Sequence, residues 1–298
     1  MRTRLNVTPT SRSESLGSIQ RIRAPAKLNI RLKVTGRRAD GYHDLVSIMV
    51  PIRLFDHLEL KLIPSGIRLS CRGFPVPKDE TNLVFQAAKA FFSGAGLRPG
   101  VSMKLTKNIP VAAGLGGGSS DAAFTLKGLN TAWSMPLAQE DLKNLAVGLG
   151  ADVPFFLEKG PCIARGIGEI LEPIENWPEF WYVIVTPAIE VSTGWVYRTL
   201  KLKLTTDDYD DIVKWLEAGC ADIAHILDND LETVTSPHFP VIDRIKKSLM
   251  DEGAAGALMS GSGPSVFGIF ESKARAMSAK SAIARKDLGV VFAVEGIT

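Results

Sequence analysis

Hydrophobic and polar residues alternate without a break over residues 22–34. Ile22, Ala24, Ala26, Leu28, Ile30, Leu32 and Val34 fall in one phase, and Arg23, Pro25, Lys27, Asn29, Arg31 and Lys33 in the other. A period of two predicts a half-buried strand, with Lys27 and Asn29 projecting from one side about 7 Å apart. Further strand patterns lie at 45–54, 58–63, 67–71 and 101–106, and 82–92 has helical composition that stops near Gly94 and Gly96. A glycine-rich stretch then leads into a helical run at 121–132, and 140–149 sets Leu142, Leu145, Ala146 and Leu149 on one stripe.

Beyond Gly150 the pattern changes. Strands are predicted at 162–165 and 181–186, and helices at 208–217 and 241–250. The chain then reads strand (256–259), glycine turn (260–264), strand (265–270), helix (273–285) and strand (290–294). Early strands mixed with later helices predict an α+β first lobe, and the closing run predicts half of a split β-α-β arrangement. The 298 residues suffice for two packed lobes. The expected division is a flexible extension at 1–21, a first lobe at 22–160 and a second at 161–298.

Composition narrows the function classes. A net charge of +3 is too small to argue for nucleic acid or an anionic membrane, and part of it comes from Arg2, Arg4, Arg12, Arg21 and Arg23, opposed only by Glu14. That N-terminal stretch has no long apolar block, so it is not a secretory signal, and no apolar run approaches a bilayer-spanning length. Cys71, Cys162 and Cys220 are isolated and odd in number, which fits a reducing cytoplasm rather than a disulfide framework. His43, His57, His225 and His238 show no metal-ligand spacing. The expected protein is cytoplasmic, a monomer or weak homodimer, working on small molecules without nucleic-acid or membrane partners.

The chemistry starts at Pro110, Val111, Ala112, Ala113, Gly114, Leu115, Gly116, Gly117, Gly118, Ser119 and Ser120. A loop with this little side-chain bulk can turn its N–H groups toward an anion, and the helix behind it adds the positive end of its dipole. A dinucleotide fingerprint fits poorly, because Gly114-x-Gly116-x-x-Ser119 lacks the third glycine. No Gly-Lys-Ser/Thr occurs, and the protein-kinase signatures His-Arg-Asp and Asp-Phe-Gly are absent. A plain strand-to-helix turn would need only one or two glycines.

Taken with the rest of the chain, this loop resembles the second motif of the GHMP kinases, Pro-x-x-x-Gly-Leu-Gly-Ser/Gly-Ser-Ser, with one extra glycine. Near the start, Pro25-Ala26-Lys27-Leu28-Asn29 is similar to the first motif, and 258–267, Leu-Met-Ser-Gly-Ser-Gly-Pro-Ser-Val-Phe, to the third. Arg38-Ala39-Asp40-Gly41-Tyr42-His43 and Gly150-Ala151-Asp152-Val153-Pro154-Phe155 narrow the likeness to the branch of that superfamily acting on a cytidine diphosphate derivative. The resemblance implies a two-lobed α+β fold, with a first lobe like domain 2 of ribosomal protein S5 and a ferredoxin-like second lobe. It implies ATP as co-substrate, Mg²⁺, and cytidine diphosphate methylerythritol as acceptor at its 2-hydroxyl, in non-mevalonate isoprenoid precursor synthesis. A mevalonate- or homoserine-type kinase is the alternative within the superfamily, but neither needs a pyrimidine pocket. A silent ligand sensor on the same fold would not need both Lys27 and Asp152.

Roles follow from the same resemblance. The glycine loop wraps the triphosphate, with Ser119 and Ser120 at the helix start capping N–H groups or, for Ser120, contacting Mg²⁺. Asp152 acts as general base toward the substrate hydroxyl, and Lys27 pairs with it and offsets charge on the attacking oxygen or the phosphoryl group. Asn29 and Thr193 bind substrate. His43 meets the edge of cytosine and Tyr42 its face, while Tyr197 is either the second stacking ring or a helix-face aromatic on the core. Asn82 is either adenine-side or a helix cap. The turn at 260–264 lines the cleft, and Phe155 and Phe156 read as core. Ala112 and Ala113 depart from the usual glycines of the family.

Overall fold

The alternating segment lies in the first long strand of a computed structural model that describes residues 19–201, 209–219 and 222–298. Strand β1 (Ile19–Arg37) pairs antiparallel with β2 (His43–Leu62) along almost its whole length. The two strand patterns read at 45–54 and 58–63 are one strand. Register shifts at Pro25/Ala26 and Asn29/Arg31 break the strict alternation of β1. Ile22 therefore packs with the helical layer, whereas Ala26, Leu28 and Ile30 face the second sheet. β1 is also not half-buried at its centre: residues 24–30 are all buried, Lys27 and Asn29 among them, because both faces are covered.

The first sheet grows outward from this pair. β3 (Gly66–Gly73) runs parallel to β4 (Gly100–Lys107), and β4 is antiparallel to β2. Among the described residues the order is β3-β4-β2-β1-β8, where β8 is the two-residue strand Asp228–Asn229. The sheet does not end at residue 160. β5 (Cys162–Gly166) pairs with β2, and β6 (Ile170–Pro173) with β5, so the chain leaves this sheet after the expected boundary and returns to it at β8.

Three helices cover one face: α1 (Leu83–Gly94), α2 (Gly117–Ala132) and α3 (Gln139–Leu149). Their apolar stripes meet β2 and β4 in one core, with Phe91, Phe92, Leu126 and Leu129 against Leu58, Leu60, Met103 and Leu105. α2 begins four residues before the sequence pattern suggests, inside the glycine run, because the left-handed Gly116 (φ 67°) supplies the stop that precedes it.

The second sheet, β11-β7-β10-β9, comprises β7 (Trp181–Thr186), β9 (Gly256–Met259), β10 (Val266–Phe270) and β11 (Val290–Glu295), all antiparallel. α4 (Thr193–Thr199), α5 (Tyr209–Glu217), α6 (Ile223–Ile226), α7 (Glu232–His238), α8 (Val241–Asp251) and α9 (Lys273–Ala284) complete the described chain. Ile242, Ile245 and Leu249 of α8 and Ala276, Ala279 and Ile283 of α9 pack on this sheet. The two sheets share a core in which Leu28, Ile30, Ile48 and Val50 meet Ile184, Phe267 and Ile269. Residues 1–18, Cys220 and the expected start of the 208–217 helix lie outside the described residues.

Candidate active site

A cleft of about 930 Å³ opens between the glycine loop, the β1–β2 hairpin and α4. Its floor is Lys27, buried at 4% side-chain exposure, whose Nζ lies 3.7 Å from Asp152 Oδ2 and donates to Asn29 Oδ1. Asp152 follows the turn closed by Val153 N–H to Gly150 O at 3.0 Å and keeps 40% of its side chain exposed. Burial lowers the Lys27 pKa below the usual lysine value, and the charge and hydrogen bond of Asp152 hold it up. Burial thus opposes the charge of Lys27, and Asp152 is the partner that supports it.

Asn29 is fixed on every side. Its Nδ2 donates to Ser47 Oγ at 2.8 Å, and its backbone N–H donates to Ser260 Oγ at 3.1 Å. Ser260 Oγ in turn donates to Gly114 O at 2.9 Å, so one hydroxyl ties β1 to the glycine loop and to the β9–β10 turn. Asn229 braces the same turn, its Nδ2 donating at 2.8 Å to both Met259 O and Gly261 O.

The glycine loop needs its glycines where backbone meets backbone. Gly114 has φ 75°, and a Cβ there would lie 2.0 Å from Ser260 O. At Gly116 a Cβ would lie 2.9 Å from Lys27 Cγ and from a Phe156 ring carbon. Pro110, Val111, Ala112, Ala113, Gly114 and then 116–119 line the cleft. Leu115 does not: it is buried, and its carbonyl accepts from Lys27 N–H at 2.9 Å. No side chain caps the α2 N-terminus, which leaves its first N–H groups to an incoming anion.

Ser119 is half-buried and lines the cleft as the third residue of α2. Ser120 is fully buried and does not line the cleft, and its Oγ has no hydrogen-bond partner among the described residues. The metal contact expected of Ser120 therefore does not fit the structure. Among the described residues, no three His, Cys, Asp or Glu side chains group to hold a metal ion.

The other end of the cleft is aromatic. The turn after β1, closed by Arg38 N–H to Tyr42 O at 2.8 Å, presents Tyr42 at 58% exposure. His43 and Tyr197 pack together with ring centroids 5.2 Å apart, tilted by 32°. Burial and the charge of Arg37, which stands opposite His43 in the strand register, lower the His43 pKa. Burial and the charge of Asp152 raise that of Tyr197, which places the phenol within the field of the carboxylate. Thr193 begins α4 and shares a 2.7 Å hydrogen bond with Ser262.

Asn82 is the N-cap of α1. Its Oδ1 accepts from Val84 N–H at 2.9 Å and its Nδ2 donates to Pro77 O at 2.7 Å, so it lines the cleft with its amide already engaged. Phe155 and Phe156 are core. Sequence reasoning missed Ser47, Asn229 and a buried cluster of Asp56, Lys107 and Asp121. The available signal was Asp56, an acid set among Leu54, Phe55 and Leu58 in a strand pattern.

Fold and cleft belong to the class of small-molecule kinases: residues 82–160 match the GHMP kinases N terminal domain and 203–288 the GHMP kinases C terminal. The 4-diphosphocytidyl-2-C-methyl-D-erythritol kinase of Syntrophotalea carbinolica is 46% identical over 275 residues, 92% of this chain and 98% of that protein. The enzyme of the same name from Geobacter metallireducens is 47% identical over 93% of this chain and 98% of its own length. A crystal structure of 4-(cytidine 5'-diphospho)-2C-methyl-D-erythritol kinase superposes with a TM-score of 0.82 at 35% identity, covering 94% of this chain and 100% of that one. Homoserine kinase from Cytophaga hutchinsonii shares the fold, with a TM-score of 0.72 at 20% identity over 95% and 96% of the two chains. The chain therefore belongs to the GHMP kinases, in the family of 4-diphosphocytidyl-2-C-methyl-D-erythritol kinases. It is a kinase whose acceptor is an alcohol.

Proposed function

We propose that the chain transfers the γ-phosphoryl group of ATP to the 2-hydroxyl of 4-diphosphocytidyl-2-C-methyl-D-erythritol, giving the 2-phosphate and ADP in the non-mevalonate route to isoprenoid precursors. The observation that carries this reading is the Lys27–Asp152 pair, 3.7 Å apart, in one cleft with the glycine loop and the His43–Tyr197 rings. Loop N–H groups and the uncapped start of α2 receive the phosphates. Asp152 takes the proton of the acceptor hydroxyl as that oxygen attacks the γ-phosphorus and ADP leaves. The Lys27 ammonium offsets the charge gathering on the transferred group, at a depth where water screens it little. Cytosine enters between Tyr42 and Tyr197 with its edge toward His43, and Asn29 and Thr193 hold the remainder of the acceptor. Asn82 belongs to the adenine side, as a support rather than a reader. Mg²⁺, if it accompanies ATP, would offset charge on the phosphates beside the glycine loop, with no cluster of three His, Cys, Asp or Glu side chains among the described residues to hold it.

The same reading makes the enzyme cytoplasmic, a monomer or weak homodimer without nucleic-acid or membrane partners. The small net charge of +3 supports the part of it that concerns nucleic acid and anionic membranes. Among the described residues no helix is long and apolar enough to cross a membrane. Phosphorus NMR of the product, after incubation with ATP, Mg²⁺ and either the cytidyl substrate or mevalonate, tests the assignment. A new phosphomonoester is expected with the cytidyl compound; one formed only with mevalonate would sink the reading.

A further inference from the structure

One side of Lys27 is held by a hydrogen-bonded relay to which the chemistry above gives no role. Lys27, Asn29 and Ser47 all line the cleft, yet each is almost fully buried, at 3%, 4% and 1% exposure. Ser47 Oγ, on β2, donates to Arg31 O of β1 at 2.6 Å and accepts from Asn29 Nδ2 at 2.8 Å. Asn29 Oδ1 accepts from Lys27 Nζ. The relay therefore runs from a backbone carbonyl, through one hydroxyl and one amide, to the ammonium that pairs with Asp152.

A hydroxyl has one proton. That of Ser47 is committed to Arg31 O, so toward Asn29 the oxygen can only accept, and the amide must present its N–H₂ end there. The carbonyl end is left for Lys27. A flipped amide would set oxygen against oxygen at Ser47 and N–H against ammonium at Lys27, two unfavourable contacts among buried groups.

The backbone supplies the anchor. Between Asn29 and Arg31 the pairing of β1 with β2 shifts, Asn29 facing Met49 and Arg31 facing Ile48, so Ile30 is an extra residue in β1. Bulges of this kind re-aim side chains beside active sites. Here the carbonyl just past the bulge orients the Ser47 hydroxyl. The backbone N–H of Asn29 is held separately, by Ser260 Oγ at 3.1 Å. Ser47 thus governs the amide of Asn29 and not the path of its strand.

An ammonium has three N–H groups. Asn29 takes one, and Asp152, 3.7 Å away, draws a second. The third is left for the cleft, and its direction is set once the other two are fixed. Resting on the reading that Lys27 offsets charge on the transferred group, we propose that Ser47 is a positioning residue for phosphoryl transfer. Its hydroxyl locks the Asn29 amide, and the amide aims the Lys27 ammonium at the γ-phosphate. Asn29 keeps one N–H and one lone pair for the acceptor.

The test is steady-state kinetics of the full chain with ATP and the cytidyl substrate across pH, for the unaltered enzyme, Ser47→Ala, Asn29→Ala and the double variant. Ser47→Ala should lower kcat roughly tenfold, the scale of one hydrogen bond beside a charge, while KM for both substrates stays close to its unaltered value. Loss of the locked carbonyl also removes support for the charged lysine, so the alkaline limb of kcat should move to lower pH. In the Asn29→Ala background Ser47→Ala should cost nothing further, because the residue through which Ser47 acts is gone. An unchanged kcat and alkaline limb in a folded Ser47→Ala overturns the proposal. So does an equally large further loss in the Asn29→Ala background, and so does a raised KM with kcat intact, which would make Ser47 a contact of the acceptor. Ser47→Cys keeps the shape with a poor acceptor, and carries the same comparison if Ser47→Ala does not fold. Absence of turnover of the cytidyl substrate would sink the functional reading alone, since nitrogen NMR still follows Lys27 through a signal identified by its loss in Lys27→Arg. The Lys27 pKa should then drop by roughly one unit in Ser47→Ala, and an unmoved value overturns the positioning role.

Discussion

Lys27 holds a charge that its burial opposes, and Asp152 is what sustains it. The sign of the pH effect follows. A lysine with a lowered pKa loses its proton earlier as pH rises, so the alkaline limb of kcat should fall below the range of an ordinary lysine. Asp152→Asn removes the supporting charge and, in the proposed mechanism, the base. Turnover should drop by roughly 10²–10⁴ while calorimetry still finds both substrates binding; near-normal turnover would remove the base assignment but not the kinase. His43 titrates in the opposite sense for substrate capture. Its pKa is lowered by burial and by Arg37, so the neutral ring persists to lower pH than usual. Arg37→Gln should raise that pKa and move the acid limb of kcat/KM for the cytidyl substrate to higher pH. Histidine NMR titration reads the shift directly, and an unmoved resonance would separate Arg37 from His43. Lys27 and Asp152 were found through motifs, since nothing in their local pattern tells a cleft-facing lysine from a solvated one. The Asp56, Lys107 and Asp121 cluster was passed over because its members meet only in the fold, Lys107 lying 51 residues along the chain from Asp56 and 14 from Asp121.

At the scale of elements, the glycine loop combines a fold constraint with a binding one, and the two can be separated by substitution. Gly114 cannot carry a side chain: its φ is positive, and Ser260 O occupies the space a Cβ would need. Gly114→Ala should destabilise the protein by more than the ~1–2 kcal/mol of the backbone conformation alone, because the β9–β10 turn must also move. Gly118 has ordinary backbone geometry, and a Cβ there would meet only Leu83 at 3.5 Å. Gly118→Ala should leave stability unchanged or raise it by up to ~1 kcal/mol, from helix propensity. Urea unfolding of the two variants side by side checks the contrast, and equal losses would show that the loop as a whole, not the Gly114 contact, sets the cost. Ala112 adopts φ 51° without being glycine, so the departure from the family pattern is accommodated as a left-handed residue. The sequence revealed the loop through composition, but α2 begins at Gly117 rather than Asp121. Residues without side chains carry no amphipathic period, which is why that first turn was invisible.

At the scale of the whole molecule, patterning predicted the long strands and helices but missed the short β6, β8, α4, α6 and α7, and it did not show how the chain divides between sheets. Alternation reports that a strand has a buried face, not which layer covers it. The register shifts in β1 send Ile22 to the helical layer and Leu28 to the second sheet; β5 and β8 join the first sheet through long-range pairing with β2 and β1, and β6 follows β5 as a local hairpin. The cleft depends on that crossing, because the residues closing it come from both sheets. Ser260 is the clearest link. Its hydroxyl accepts from Asn29 N–H of β1 and donates to the carbonyl of Gly114, while its own backbone sits between β9 and β10. Ser260→Ala removes no charge and little volume, yet strands a buried donor, Asn29 N–H, and a half-buried acceptor, Gly114 O. The stability loss should be about 1–3 kcal/mol per stranded group at most, and smaller if water reaches either one. A larger effect should appear in catalysis than in acceptor binding, since Asn29 and Gly114 flank Lys27 and the phosphate loop. Parallel urea unfolding and steady-state kinetics distinguish the outcomes. A stability loss with unchanged kcat would make Ser260 a structural tie only, whereas a lower kcat with an intact fold would show that the register between β1 and the glycine loop is part of how the cleft works.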